Sequence, residues 1–170
     1  MSLGKLYRSM SSEDVLSVLR ENARYSVTDI ARQLDMDQAD VEATIDRLED
    51  EGTIRGYRAV VDRHKLDDEP VRAAVELNVT LDRETSYDDI ADRLARFRMV
   101  ESLHLVSGDF DFMMQVEGDS MREVSQFISN KVAPVPEITQ TVTHYVMDAY
   151  KEQGIVFGDG HDDDRLSVSP

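Results

Sequence analysis

The stretch Ser107-Gly108-Asp109-Phe110-Asp111 sets a glycine among a hydroxyl and two carboxylates within five residues. A glycine leaves backbone N–H groups open to close approach, and such groups suit a carboxylate, while Asp109 and Asp111 can accept from an ammonium. Further along, Thr141 and Thr143 stand two apart, so on a strand both hydroxyls share a face. Together these residue types fit a small zwitterion carrying one carboxylate and one ammonium. A plainer account also stands: Gly108-Asp109 is a good type I′ turn, and threonine suits strands for packing reasons alone.

A second set of residues could meet nucleic acid. Arg47 is the base on the outer face of a helical stretch that also shows Ala39, Asp40, Ala43, Asp46 and Asp50, and Arg55, Tyr57 and Arg58 follow shortly after. A guanidinium can reach a guanine edge or a phosphate. The three Asp on that face would repel a phosphate backbone at low salt. Other chemistry is thinly represented. With no Cys there is no disulfide, thiolate metal site or cysteine nucleophile, and His64, His104, His144 and His161 show no metal-ligand spacing.

The elements that would position these groups can be read from periodicity. Ser12 opens a helix with Val15, Leu16, Val18 and Leu19 on one face. Ser26, with Asp29 three residues on, predicts a capping box for a second helix that turns Val27, Ile30, Ala31 and Leu34 inward. Asp37 is a good N-cap for a third, carrying Val41, Ile45 and Leu48 and ended by Gly52. Three short helices in this order are a helix-turn-helix. An alternating strand over 53–61 would be the wing of a winged helix. After a polar hinge at 63–70 the period changes to two. Strands are expected at 71–81, 100–107, 110–116 and 138–149, with helices at 87–98 (capped by Ser86) and 120–132. The order strand, helix, strand, strand, helix, strand is a ferredoxin-like, ACT-like βαββαβ domain. The fold class expected is therefore α+β. A helix-turn-helix domain occupies 1–62, the βαββαβ domain 71–157, and an acidic disordered tail 158–170.

Charge is divided between the halves. The chain carries a net charge of −16, of which residues 1–65 hold −3 and residues 66–170 hold −13. Asp supplies 22 of the 35 acids, and only 4 of the 19 bases are Lys. A surface of this kind stays hydrated in molar salt, where the Debye length is about 3 Å, so a salt-adapted archaeal source is expected. No apolar run approaches the roughly 20 residues of a membrane span, and Met1 to Met10 has no secretory h-region. The cytoplasm is the expected location.

The string Val106-Ser107-Gly108-Asp109-Phe110-Asp111, in the hairpin of a βαββαβ domain behind a helix-turn-helix, resembles the Lrp/AsnC family of feast/famine regulators. Asp29-Ile30-Ala31 with Leu34, Arg47-Leu48-Glu49 with Gly52-Thr53-Ile54, and Thr141-x-Thr143 extend the resemblance over about residues 10–155. The resemblance implies a homodimer that assembles further, often to an octamer, with an amino acid bound between dimers. It implies that the third helix enters the major groove of double-stranded DNA, braced by the second. The positions expected at DNA are Thr28, Gln38, Ala39, Ala43, Thr44, Arg47, Arg55, Tyr57 and Arg58. Those expected at the effector are Ser107, Gly108, Asp109, Asp111, Thr141 and Thr143. Thr44, Asp46 and Asp50 depart from the basic residues common in the family.

Two other readings stand beside a ligand-responsive regulator. One is a sensory module of the same fold that no longer binds DNA. The other is an enzyme similar to the sirohaem decarboxylases, which rely on His and Arg near this hairpin and an aromatic-rich strand after it. Here Ser102, Val106 and Gly108 occupy that stretch, Phe112-Met113-Met114 follows, and His104 is the nearest candidate. Spacing supports no acid–base pair, so no catalytic residue, cofactor or metal is expected.

Overall fold

The computed structural model describes residues 3–82 and 84–157, with side chains from residue 12 onward. The chain divides into two compact units, Met1–Ala59 and Val60–Pro170. The tail expected at 158–170 lies outside the described residues.

The first unit holds α1 (Leu3–Glu21), α2 (Val27–Leu34) and α3 (Gln38–Asp50). Ser26 caps α2 as its spacing predicts. Its hydroxyl accepts from the Asp29 N–H at 3.1 Å, while the Asp29 carboxylate accepts from the Ser26 N–H at 3.3 Å. The hydroxyl and backbone of Ser26 hold the Asp29 carboxyl below the ordinary carboxylate value. Asp35 adopts φ +51 after α2, a left-handed conformation that Asp tolerates, and so tightens the turn into α3. Val15, Val18, Leu19, Ile30, Ala31 and Val41 form one buried cluster, with Ile45 and Ile54 packed against it.

Three expectations need correction here. The first helix begins at Leu3 rather than Ser12, because no proline interrupts 3–11 and the Ser12 hydroxyl serves another helix instead of capping its own. Asp37 occupies the N-cap of α3 but makes no side-chain capping bond. The expected wing strand over 53–61 forms no regular strand. A lone extended segment forms no ladder, and among the described residues no strand lies beside it.

The second unit is a four-stranded antiparallel sheet in the order β2-β3-β1-β4. Its strands are β1 (Val71–Val79), β2 (Val100–Leu105), β3 (Phe112–Gly118) and β4 (Ile138–Tyr145). Helices α4 (Tyr87–Ala95) and α5 (Met121–Phe127) cover one face, and α5 runs on through a π-helical turn to Val132. This is the βαββαβ arrangement expected. Alternation builds the core: Ala73, Val75 and Leu77 of β1 lie opposite Val116, Met114 and Phe112 of β3. All six are buried against Ile90, Leu94, Val124 and Phe127. The other face carries Arg72, Glu76, Gln115, Glu117 and His144 together with Ala74, Met113 and Val142, and no helix covers it among the described residues. The last strand stops at Tyr145, short of the expected 149. A small hairpin of β5 (Lys151–Glu152) and β6 (Ile155–Val156) follows, turned by Gln153 and Gly154 at φ +49 and +86. Two successive positive φ values are what a two-residue type I′ connection needs; the Gln-Gly dipeptide was its signal.

Candidate functional site

In the first unit, α2 and α3 place the nine residues expected at DNA very differently. Gln38, Ala39 and Ala43 are exposed on α3, Thr28 is exposed in the first turn of α2, and Thr44 is half-buried. Arg47 does not stand free on the outer face. Its guanidinium donates to the Ser12 Oγ of α1 at 2.6 Å and pairs with Glu51 at 3.2 Å, tying α3 to α1 across 35 residues of sequence. Tyr57 donates to Glu49 Oε1 at 2.8 Å, which fastens the segment after α3 to that helix. Partial burial, then the neighbouring Glu49, raise the Tyr57 phenol above its ordinary value. Gly52 turns the chain at φ +69, and a Cβ there would lie 3.1 Å from the Arg55 Cζ, so Arg55 lies over that turn. Arg58 is exposed.

What α3 offers outward is therefore small and acidic: Ala39 and Ala43 among Asp40, Glu42, Asp46, Glu49 and Asp50, all exposed. Sequence reasoning passed over the cations nearer the start of α2. Arg20 and Arg24 are exposed, and no ion pair engages them among the described residues. Arg32 is exposed beside Asp29, at 2.8 Å. Their signal was position alone, close to the helix whose N-terminus would meet a phosphate.

In the second unit the hairpin between β2 and β3 is wider than a two-residue turn. The Val106 N–H donates to the Asp111 carbonyl at 2.9 Å, closing a loop over 107–110. Gly108 adopts φ +148 there, and a Cβ on it would meet nothing within 4 Å. The type I′ turn is thus excluded, since that turn requires two successive positive φ values. Ser107, Gly108 and Asp109 are exposed.

Asp111 has a different place from the one expected. Its Oδ2 accepts from the Val79 N–H at 2.8 Å and its Oδ1 accepts from the Tyr87 hydroxyl at 3.1 Å. Its own N–H donates to the Leu77 carbonyl at 2.9 Å. One carboxylate thereby joins the end of β1, the hairpin and the first residue of α4. The hydrogen bond from Tyr87 to Asp111, and the charge of that carboxylate, raise the Tyr87 phenol. Tyr87 also sets its ring edge against Phe112, at 5.8 Å between centroids. Sequence reasoning missed Tyr87, whose only signal was its position directly behind the Ser86 cap.

Thr141 and Thr143 are half-buried on β4, opposite Leu77 and Val75 of β1, and so share the helix-covered side of the sheet at its edge. Leu77 also lies opposite Phe112, the residue after Asp111. Thr141 and the hairpin therefore lie at the same end of the sheet. They are separated by β1, two strand spacings or roughly 10 Å apart. The arrangement can offer amides, a hydroxyl and a carboxylate from the loop, and two hydroxyls from the far edge. His104 is exposed opposite Met113, with no carboxylate paired to it among the described residues. No three His, Asp or Glu side chains gather as a metal site among the described residues. No described helix is long and apolar enough to cross a membrane.

Comparison with known proteins agrees with this division. Residues 72–156 match the Lrp/AsnC ligand binding domain, and residues 11–55 match a winged helix-turn-helix DNA-binding domain. The chain is 37% identical over 158 residues to an uncharacterized HTH-type transcriptional regulator, YugG, of Bacillus subtilis, covering 92% of this chain and 95% of that one. It is 28% identical to a proline dehydrogenase transcriptional activator of Rhizobium radiobacter, covering 83% and 90%. The crystal structure of the transcriptional regulator NMB0573 from Neisseria meningitidis, in complex with L-Met, superposes with a TM-score of 0.64 at 19% identity, covering 83% and 90%. The chain belongs to the Lrp/AsnC family of DNA-binding transcription regulators.

Proposed function

We propose that this regulator binds double-stranded DNA through its helix-turn-helix, and that an amino acid, held at the 107–110 loop, alters its assembly and hence its DNA binding. The observation that carries this reading is the loop itself: Ser107, Gly108 and Asp109 are exposed while Asp111 fastens the loop to β1 and α4. A site held out by a rigid base is suited to a ligand. Backbone N–H groups around Gly108 take the carboxylate and Asp109 takes the ammonium. Asp111, already accepting from Val79 and Tyr87, positions the loop. Thr141 and Thr143, across β1, serve the same site where a second copy brings its loop to the far edge. The L-Met complex of the Neisseria relative supports an amino acid as ligand. The chain acts as a homodimer that assembles further, to an octamer, in the cytoplasm, and performs no catalysis. Calorimetry with the twenty amino acids, beside light scattering, tests it. Binding of at least one amino acid with a change in assembly is expected; no heat from any of them would remove the effector site.

A second reading is favoured by the acids on α3 and by the inward turn of Arg47: the same sensor without DNA binding. Fluorescence anisotropy with duplex DNA separates the two.

A further inference from the structure

The segment expected to be a free hinge is fastened to the sheet unit at two consecutive residues. Arg63, His64 and Lys65 form a 3-10 turn, closed by the Lys65 N–H to the Asp62 carbonyl at 3.2 Å and the Leu66 N–H to the Arg63 carbonyl at 2.9 Å. Arg63 pairs with Glu117 of β3 at 2.8 Å, with both side chains 26% exposed. Glu117 lies opposite Arg72 of β1, and Arg72 pairs with Glu152 of β5 at 3.0 Å. Base and acid thus alternate from the linker across two strands to the C-terminal hairpin. Beside this row, His64 Nε2 lies 2.7 Å from Asp148 Oδ1, in the segment between β4 and β5. Asp148 accepts from the Ala149 N–H as well, at 2.7 Å.

A flexible tether would leave such side chains in water, since exposed ion pairs hold little against side-chain entropy. Here both contacts join residues far apart in sequence, and one of them is mostly covered. We propose that Arg63 and His64 form a two-point clamp that makes the linker part of the sheet unit, so that a shift of β3 or of the segment after β4 is passed to the chain that carries the DNA-binding unit. The proposal rests on the reading of this protein as a regulator with a sensing and a DNA-binding unit. It names the residues that couple them.

The clamp responds to pH at one of its points. The hydrogen bond that His64 donates to Asp148 raises its imidazole above its ordinary 6.5, and Glu69 and Asp62 act in the same direction; Asp148 is lowered in turn, first by His64. A raised histidine contributes fully below its ordinary value, and the contribution is lost as pH rises through the raised one. The His64 contact therefore loosens as pH rises through that raised value, while Arg63–Glu117 persists.

Hydrogen exchange on the full chain tests the clamp. The double variant Glu117→Gln with Asp148→Asn leaves the linker sequence untouched. At pH 6 we expect its Lys65 and Leu66 amides to exchange at least tenfold faster than wild type, with Val75 and Leu77 unchanged. Unchanged rates at 65 and 66 would overturn the clamp. Should the strand amides quicken too, the wild type decides. After correction for hydroxide catalysis, Leu66 should quicken from pH 6 to 8.5 in wild type and not in His64→Gln; equal behaviour overturns the proposal. Coupling is read in the reverse direction, since linkage is reciprocal. Saturating duplex DNA should change exchange at Ala149 in wild type and leave the double variant unmoved. DNA that binds and leaves Ala149 unchanged in wild type overturns the coupling. A wild type that binds no DNA counts against the regulator reading alone, because the linker exchange rates decide the clamp by themselves.

Discussion

In the helical unit Arg47 turns back to Ser12 and Glu51, and Tyr57 turns to Glu49, so the groups best suited to nucleic acid are partly satisfied within the chain. In the sheet unit Asp111 is satisfied in the same way by Val79 and Tyr87, yet the neighbouring Ser107, Gly108 and Asp109 stay exposed. Both units thus use polar ties within the chain. In one the ties orient a helix whose outer face is small and acidic; in the other they brace a loop with open amides. The outer face of α3 offers a phosphate backbone little attraction by itself, so engagement of several copies together would raise affinity without new contacts.

Core substitutions make the largest break between the two. Ile30 and Leu77 are both fully buried, and replacing either with Ala should cost about 2–5 kcal/mol. Ile30→Ala is expected to remove DNA binding while amino-acid calorimetry stays near wild type. Leu77→Ala should do the reverse, because Leu77 supports Phe112 on one side and Thr141 on the other. If either variant abolished both activities equally, the two units would not be separable.

At the loop, Gly108→Val should abolish amino-acid binding without unfolding the unit. A β-branched residue at φ +148 is strained by about 1–3 kcal/mol whatever the space around it. Nothing lies within 4 Å of the added Cβ, so the loss would come from loop geometry and blocked amides rather than internal clash. Asp111→Asn should cost about 1–2 kcal/mol in thermal stability, the scale for hydrogen bonds to a charged group. It should weaken ligand binding less than Gly108→Val does.

For α3 the sequence alone invited a base-reading role for Arg47. Its partner Ser12 is 35 residues away, and no local pattern announces a contact of that span. Arg47→Ala is now expected to cost about 1 kcal/mol, because the guanidinium is partly in water. It should weaken binding to all duplexes alike, by releasing α3 from α1. A loss confined to one operator sequence would restore the base-reading role.

The same contrast governs what was legible before the fold. The capping box sufficed for α2, and periodicity for α3 and the four main strands, because Ser26 with Asp29 and the alternation of Ala73, Val75 and Leu77 are local signals. The irregular segment after α3 and the partners of Asp111 depend on tertiary contacts that one stretch of sequence does not contain. The residues of the candidate loop were legible from Gly108 and its neighbours, but the bracing by Tyr87 was not.

The smallest effect should be common to both units. Asp29 and Asp89 cap α2 and α4 with the same box, and each is lowered first by its serine hydroxyl, Ser26 and Ser86. Lowered carboxyls stabilise above their ordinary value and lose that contribution as pH falls through the lowered one. Acid titration followed by circular dichroism should therefore weaken both helices in one window below about pH 4. Salt should distinguish the units instead. With an acidic α3, DNA binding should persist, or strengthen, from about 0.1 to 2 M KCl, where ordinary counterion release would weaken it steeply.

The most direct test of an effector-responsive DNA binder is the affinity for labelled duplex DNA, by fluorescence anisotropy at molar KCl, with and without the amino acid that calorimetry identifies. A shift of about 5- to 150-fold in affinity is expected, the usual range of coupling between two sites. Gly108→Val should lose the shift while keeping the ligand-free affinity. An affinity identical with and without every amino acid, or a shift that survives in Gly108→Val, would contradict effector-responsive DNA binding through this loop.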